Sequence, residues 1–169
     1  VEDGFLKITA QRESFGGREY TSSRINSQDL FEFTYGRVVA RAKLPEGGGT
    51  WPALWMLGAD YETNTWPGCG EIDYMEHVGN QQNTIFSSLH YPGNFGGNAT
   101  SRQTNNATAS SEFHIYEVQW NQNDIRFYID DVLYHSFTNN SSLPFNNDFF
   151  LIINVAMGGN FGGNIDPAF

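Results

Sequence analysis

DIRFYIDDVLYHSF, Asp124 to Phe137, is two short runs of β-branched and aromatic residues joined by a pair of aspartates. Ile125, Phe127 and Ile129 alternate with polar or amphipathic neighbours, the period of a strand with one buried face. Asp130-Asp131 has turn chemistry, so the segment predicts a β-hairpin. YGRVVARAKL, from Tyr35, repeats the pattern: Val38, Ala40, Ala42 and Leu44 share one face, and Arg37, Val39, Arg41 and Lys43 the other. No window sustains capped helical spacing. Strands are expected near 4–10, 20–26, 35–44, 51–57, 70–78, 84–90, 113–120, 124–129, 132–137 and 149–156. Many short antiparallel strands without helices predict an all-β fold, a jelly-roll sandwich of two curved sheets. The Asn/Gly/Thr/Ser-rich stretch 93–111 is expected to be a long loop, and GGNFGGN around Phe161 a second mobile rim.

At 169 residues and 39% apolar content, residues 1–169 are expected to form a single domain with a continuous core. No run of 18 apolar residues suggests membrane insertion. The net charge of −10 argues against nucleic acid and anionic membrane, both of which need concentrated basic surface. A neutral ligand is the natural expectation. Cys69 is the only cysteine, so no internal disulfide or thiolate cluster can form. The four histidines show no paired metal-ligand spacing. The opening VEDGFLKITA carries no leader, so a secretion signal is expected to be absent or already removed.

GEIDYMEHVG, Gly70 to Gly79, places Glu71, Asp73 and Glu76 within six positions. Acids are poor strand formers, so three together need a reason. A regular strand turns Glu71 and Asp73 to one face and Glu76 to the other. A β-bulge around Tyr74 or Met75 would restore Glu76 to the first face. Two glutamates roughly 13 Å apart along the strand could then lean to roughly 5–6 Å between carboxyls, the separation of a retaining glycosidase.

At these residues the chain resembles glycoside hydrolase family 16, in its laminarinase (endo-1,3-β-glucanase) branch. The matching stretches are TYGRVVARAKLPEGGGTWPALWML, WPGCGEIDYMEHVG, SSLHYPG, YEVQW with DIRFYIDD, and FLIINVAMGGNFGG, in family order over nearly the whole chain. The resemblance implies Glu71 as nucleophile, Glu76 as general acid/base and Asp73 as assisting carboxylate. It implies endo-acting, retaining hydrolysis of β-1,3-glucan by a secreted monomer, needing no catalytic cofactor and permitting a structural calcium ion at no assigned site. The alternatives are hydrolysis of another β-linked polysaccharide (mixed-linkage glucan, agar or porphyran) and a non-catalytic β-glucan-binding module. Against the family pattern, a further N-terminal segment and a C-terminal strand are expected to be missing.

Sugar rings present an apolar face that stacks on indole, so Trp55, Trp66 and Trp120 are candidate substrate contacts, while Trp51 reads equally as core. His90, at the SSLHY position, is expected to hydrogen-bond substrate or Glu76. Arg24 and Arg41 could hold hydroxyls. Asn154, polar within FFLIINVA, should point into the cleft. Met75 is expected to fill the bulge and line a sugar site, and His77 to be structural.

Overall fold

A computed structural model describes residues 1–169. The alternating segments become strands, in chain order β1 (Gln11–Phe15), β2 (Arg18–Thr21), β3 (Arg24–Asn26), β4 (Glu32–Phe33), β5 (Gly36–Ala42), β6 (Thr50–Gly58) and β7 (Glu71–His77). There follow β8 (Thr84–His90), β9 (Thr100–Asn105), β10 (His114–Trp120), β11 (Asp124–Ile129), β12 (Val132–Thr138) and β13 (Phe149–Met157). A four-stranded sheet runs β12-β11-β10-β5, and a seven-stranded sheet runs β3-β13-β6-β7-β8-β9 with β4 also paired to β13. Every pairing is antiparallel. The fold is the expected all-β sandwich of jelly-roll type.

The β11–β12 turn has Asp130 and Asp131 at φ 48° and 65°, the paired left-handed geometry that suits a two-residue hairpin. Ile125, Phe127 and Ile129 point inward and are at most 8% exposed. They meet Met56, Ile72 and Leu89 from the larger sheet in a core of 17 buried residues. Each such side chain contributes roughly 1.5–3 kcal/mol by leaving water.

Four expectations are corrected. Residues 4–10 form no strand; Phe5 instead stacks on Phe113 at 5.2 Å. Residues 20–26 divide between β2 and β3. The stretch 93–111 contains β9, an edge strand paired to β8 along a largely exposed, polar sequence. Phe161 lies on a short helix, α1 (Gly159–Gly162), with its ring against Phe86 and Trp51 at 5.1 and 5.5 Å. Near residues 3–9 the core is open: a cavity of about 810 Å³ reaches Ala42, Leu44, Leu54 and Ile153.

β7 lies centrally in the larger sheet, between β6 and β8. One face of that sheet packs on the core, and the other carries the site.

Candidate active site

The register around β7 contains the bulge. On β6, Leu54 opposes Met75 and the next residue, Trp55, opposes Asp73, so Tyr74 has no partner there. On β8, Asp73 opposes Ser88 and Glu76 opposes Phe86, three steps against two. The inserted residue reverses the side-chain parity. Tyr74 and Met75 are therefore both buried in the core, at 2% and 1% exposure. Glu71, Asp73 and Glu76 all line one cleft of about 410 Å³, with Trp51, Trp55 and Asn154.

Each acid has distinct partners. Glu76 accepts hydrogen bonds from Trp51 Nε1–H and Ser88 Oγ–H, both at 3.1 Å. Ser101 in turn donates to Ser88 at 2.9 Å. His90 Nε2 lies 3.0 Å from Asp73 Oδ2 and 3.6 Å from Glu71 Oε1. The 3.0 Å contact is off-axis, leaving Asp73 Oδ2 a buried acceptor without an aligned donor. On the opposite wall, Asn154 Oδ1 accepts from Trp55 Nε1–H at 2.7 Å. The Arg24 guanidinium lies 4.6 Å above the Trp55 ring.

The family model for glycosyl hydrolases family 16 matches residues 2–165. The chain belongs to this family. It is 39% identical to a β-glucanase of Rhodothermus marinus over 99% of the chain and 64% of that protein. It is 36% identical to glucan endo-1,3-beta-glucosidase A1 of Niallia circulans, again over 99% of the chain but 28% of that protein. The crystallised laminarinase catalytic domain of Thermotoga maritima superposes with a TM-score of 0.93 at 38% identity, covering 99% of this chain and 72% of the other.

In this family 16 cleft, burial dominates the acid–base chemistry. Glu71 is pushed up to about 9, first by burial and then by the charge of Asp73, with His90 opposing. Asp73 is held well above its ordinary range by burial and by Glu76. Burial also raises Glu76, against the Trp51 and Ser88 hydrogen bonds, which favour its ionised form. Three buried carboxyls in one cleft cannot all ionise near neutrality, so the group retains protons. Asp73 and Glu71 interact as a pair that raises Glu71 and opposes the rise in Asp73, so a proton shared between them rests on Glu71.

The other candidates separate by position. Arg24, Trp55 and Asn154 line the cleft. Trp66 stands in the β6–β7 loop, 41% exposed, its ring 5.7 Å from that of His90. His90 faces Asp73 and Glu71 rather than Glu76 as its nearest acids. Trp120 is corrected to a core residue: it is 3% exposed, donates Nε1–H to Phe145 O at 2.8 Å, and packs on Phe149. Arg41 is corrected too. It projects from β5 in the other sheet, its guanidinium 4.3 Å over the Phe113 ring. Met75 fills the core and does not line the cleft. His77 is fully buried, and burial lowers it to about 4, so it is neutral at physiological pH.

Sequence reasoning left Trp51 undecided and missed Ser88. Trp51 is two and four residues from Ala53 and Trp55, both on the cleft wall, so alternation along β6 assigns its face. Ser88 likewise shares a face with His90.

Proposed function

We propose that the protein is an endo-acting, retaining β-1,3-glucanase. The observation that carries this reading is the bulge at Tyr74–Met75, which brings Glu76 into the cleft beside Glu71 with Asp73 between them. The names of the relatives, β-glucanase, endo-1,3-beta-glucosidase and laminarinase, support the substrate class. Two tryptophan rings on the cleft wall suit the apolar faces of neutral sugars.

In the first step Glu76 gives its proton to the glycosidic oxygen as the bond to the anomeric carbon breaks. A Glu71 oxygen attacks that carbon from the other side, forming a glycosyl ester. Asp73 takes up the shared proton, leaving Glu71 ionised for the attack. Glu76, now a carboxylate, removes a proton from water, whose oxygen displaces Glu71 and releases the sugar. Such a polymer is met outside the cell, so we place the protein there, acting as a monomer; fractionation and light scattering test both.

Glu71→Ser and Glu76→Ser should each abolish reducing-sugar release from laminarin, and near-normal turnover by either variant would refute the assignment. Parallel assays on lichenan, agar and porphyran test the linkage. Oligosaccharide binding with no turnover on any of them would make the protein a binding module.

A further inference from the structure

His90 ends β8, and the chain then turns back through residues 91–98. Tyr91 and Asn94 pair across that turn, and a short 3-10 turn follows at Gly96–Asn98. This return places the Gly96 backbone N–H on His90 Nδ1, at 3.1 Å. An N–H can only donate, so Nδ1 presents its lone pair and carries no proton. The ring proton of a neutral imidazole must then sit on Nε2, the atom facing Asp73 and Glu71. Ring packing holds this orientation: Trp66 lies 5.7 Å from His90 on one side and 5.3 Å from Phe95 on the other.

We propose that His90 is a positioning residue for the nucleophile pair, locked by the Gly96 amide as the neutral Nε2–H tautomer and donating to Asp73 Oδ2. The inference rests on the glycanase reading of the cleft. Asp73 Oδ2 is a buried acceptor lacking an aligned donor, and catalytic hydrogen bonds that are poorly aligned in a free site tighten when substrate binds. With Oδ2 held by His90, the other oxygen of Asp73 is left to take up the shared proton from Glu71.

The lock has two consequences. A proton on Nδ1 would set an N–H against the Gly96 N–H, so the ring proton of the neutral imidazole is confined to Nε2. The titratable groups facing it are Glu71, Asp73 and Glu76, all on β7; Trp66 and the 91–98 turn offer only a ring and a backbone amide. The same arrangement decides a competing use. Glu71, Asp73 and His90 bring donor atoms within 4.8 Å of one another, a spacing that could hold a metal ion. A metal on Nε2 would force the ring proton onto Nδ1, against the Gly96 amide.

Long-range proton–nitrogen NMR of the labelled protein reads the tautomer directly, with His90 assigned by its loss in His90→Gln. The expected result is a single Nε2–H tautomer of the neutral ring, unchanged by equimolar zinc. An Nδ1–H form of the neutral ring, or zinc bound at His90, would overturn the proposal. Kinetics supply the second readout. His90→Phe should lower kcat on laminarin about 10- to 100-fold with little change in KM, the factor carried by one hydrogen bond to a charged group. It should also move the acidic limb of the pH profile upward. His90→Gln, which restores an N–H donor, should recover most of both. Equal impairment in the two variants, or none in His90→Phe, refutes positioning. Because the NMR result needs no substrate, failure of the glucan assignment is distinguishable from failure of the lock.

Discussion

Replacing Glu71 with Gln should make the protein more stable, and increasingly so as pH rises. Glu71 ionises near 4.5 when unfolded and near 9 in the fold, chiefly because of burial. A group raised in this way contributes its full stability below 4.5 and loses it as pH climbs toward 9. At pH 7 the solution lies 2.5 pH units above the unfolded value. At about 1.4 kcal/mol per pH unit the cost is roughly 3–4 kcal/mol. Gln keeps the shape and never ionises. The variant should therefore melt roughly 7–14 °C above the parent at pH 7, with the gap closing near pH 4.5. Asp73 and Glu76 titrate in both proteins and largely cancel. Scanning calorimetry across that pH range measures the gap while laminarin turnover is lost. A gap that is constant with pH, or that favours Glu71 in alkaline solution, would refute the account of burial as the dominant cause.

Trp51→Phe removes the Nε1–H that favours ionised Glu76. Glu76 should keep its proton to higher pH, moving the basic limb of kcat/KM up by about one pH unit; a downward move would contradict the hydrogen bond's role. Arg24→Ala, at the cleft wall over Trp55, should raise KM about 2- to 30-fold with kcat nearly unchanged. Arg41→Ala, on the far sheet, should leave both constants within about twofold, and steady-state kinetics on one laminarin preparation compares the two. Trp120→Ala should cost about 3–5 kcal/mol in urea unfolding, with oligosaccharide affinity retained in the folded fraction. A large loss of affinity at unchanged stability would return Trp120 to the cleft.

Much of this was legible wherever apolar alternation and burial coincide. β5, β10, β11 and β12 follow their pattern because one face packs on the core. β9 did not show because TSRQTN has no apolar face; its strand character comes from backbone pairing along one edge of β8. The β1–β2 hairpin was readable and passed over, since Gly16-Gly17 at φ 58° and 78° is strong turn chemistry. Residues 4–10 misled in the opposite sense, having strand-like composition without a strand edge to join. The same alternation would have corrected two site residues. Trp120 is in phase with the buried Tyr116 and Val118, and Arg41 with the outward Val39. Neither can reach a cleft on the far side of the other sheet. Beyond reach of spacing were the Gly96 contact and the Ser88–Ser101 relay, which depend on how a turn and an edge strand return against β8.

The bulge joins folding to chemistry. In an unbroken strand Met75 would share the cleft face with Glu71 and Asp73, and Glu76 would enter the core among Ile72, Tyr74 and their neighbours. A carboxyl there would lack the Trp51 and Ser88 donors it now has; buried unpaired it would take up a proton, and the unpaired polar group would still cost roughly 1–3 kcal/mol. The inserted residue exchanges the two side chains: Met75 stays with the core at 1% exposure, and Glu76 reaches hydrogen-bond partners on the cleft wall. Beyond it, His77 turns inward and is buried, so the reversed parity persists to the end of the strand. The arrangement that brings Glu76, the proposed acid/base, into the cleft is thus also the one the core prefers.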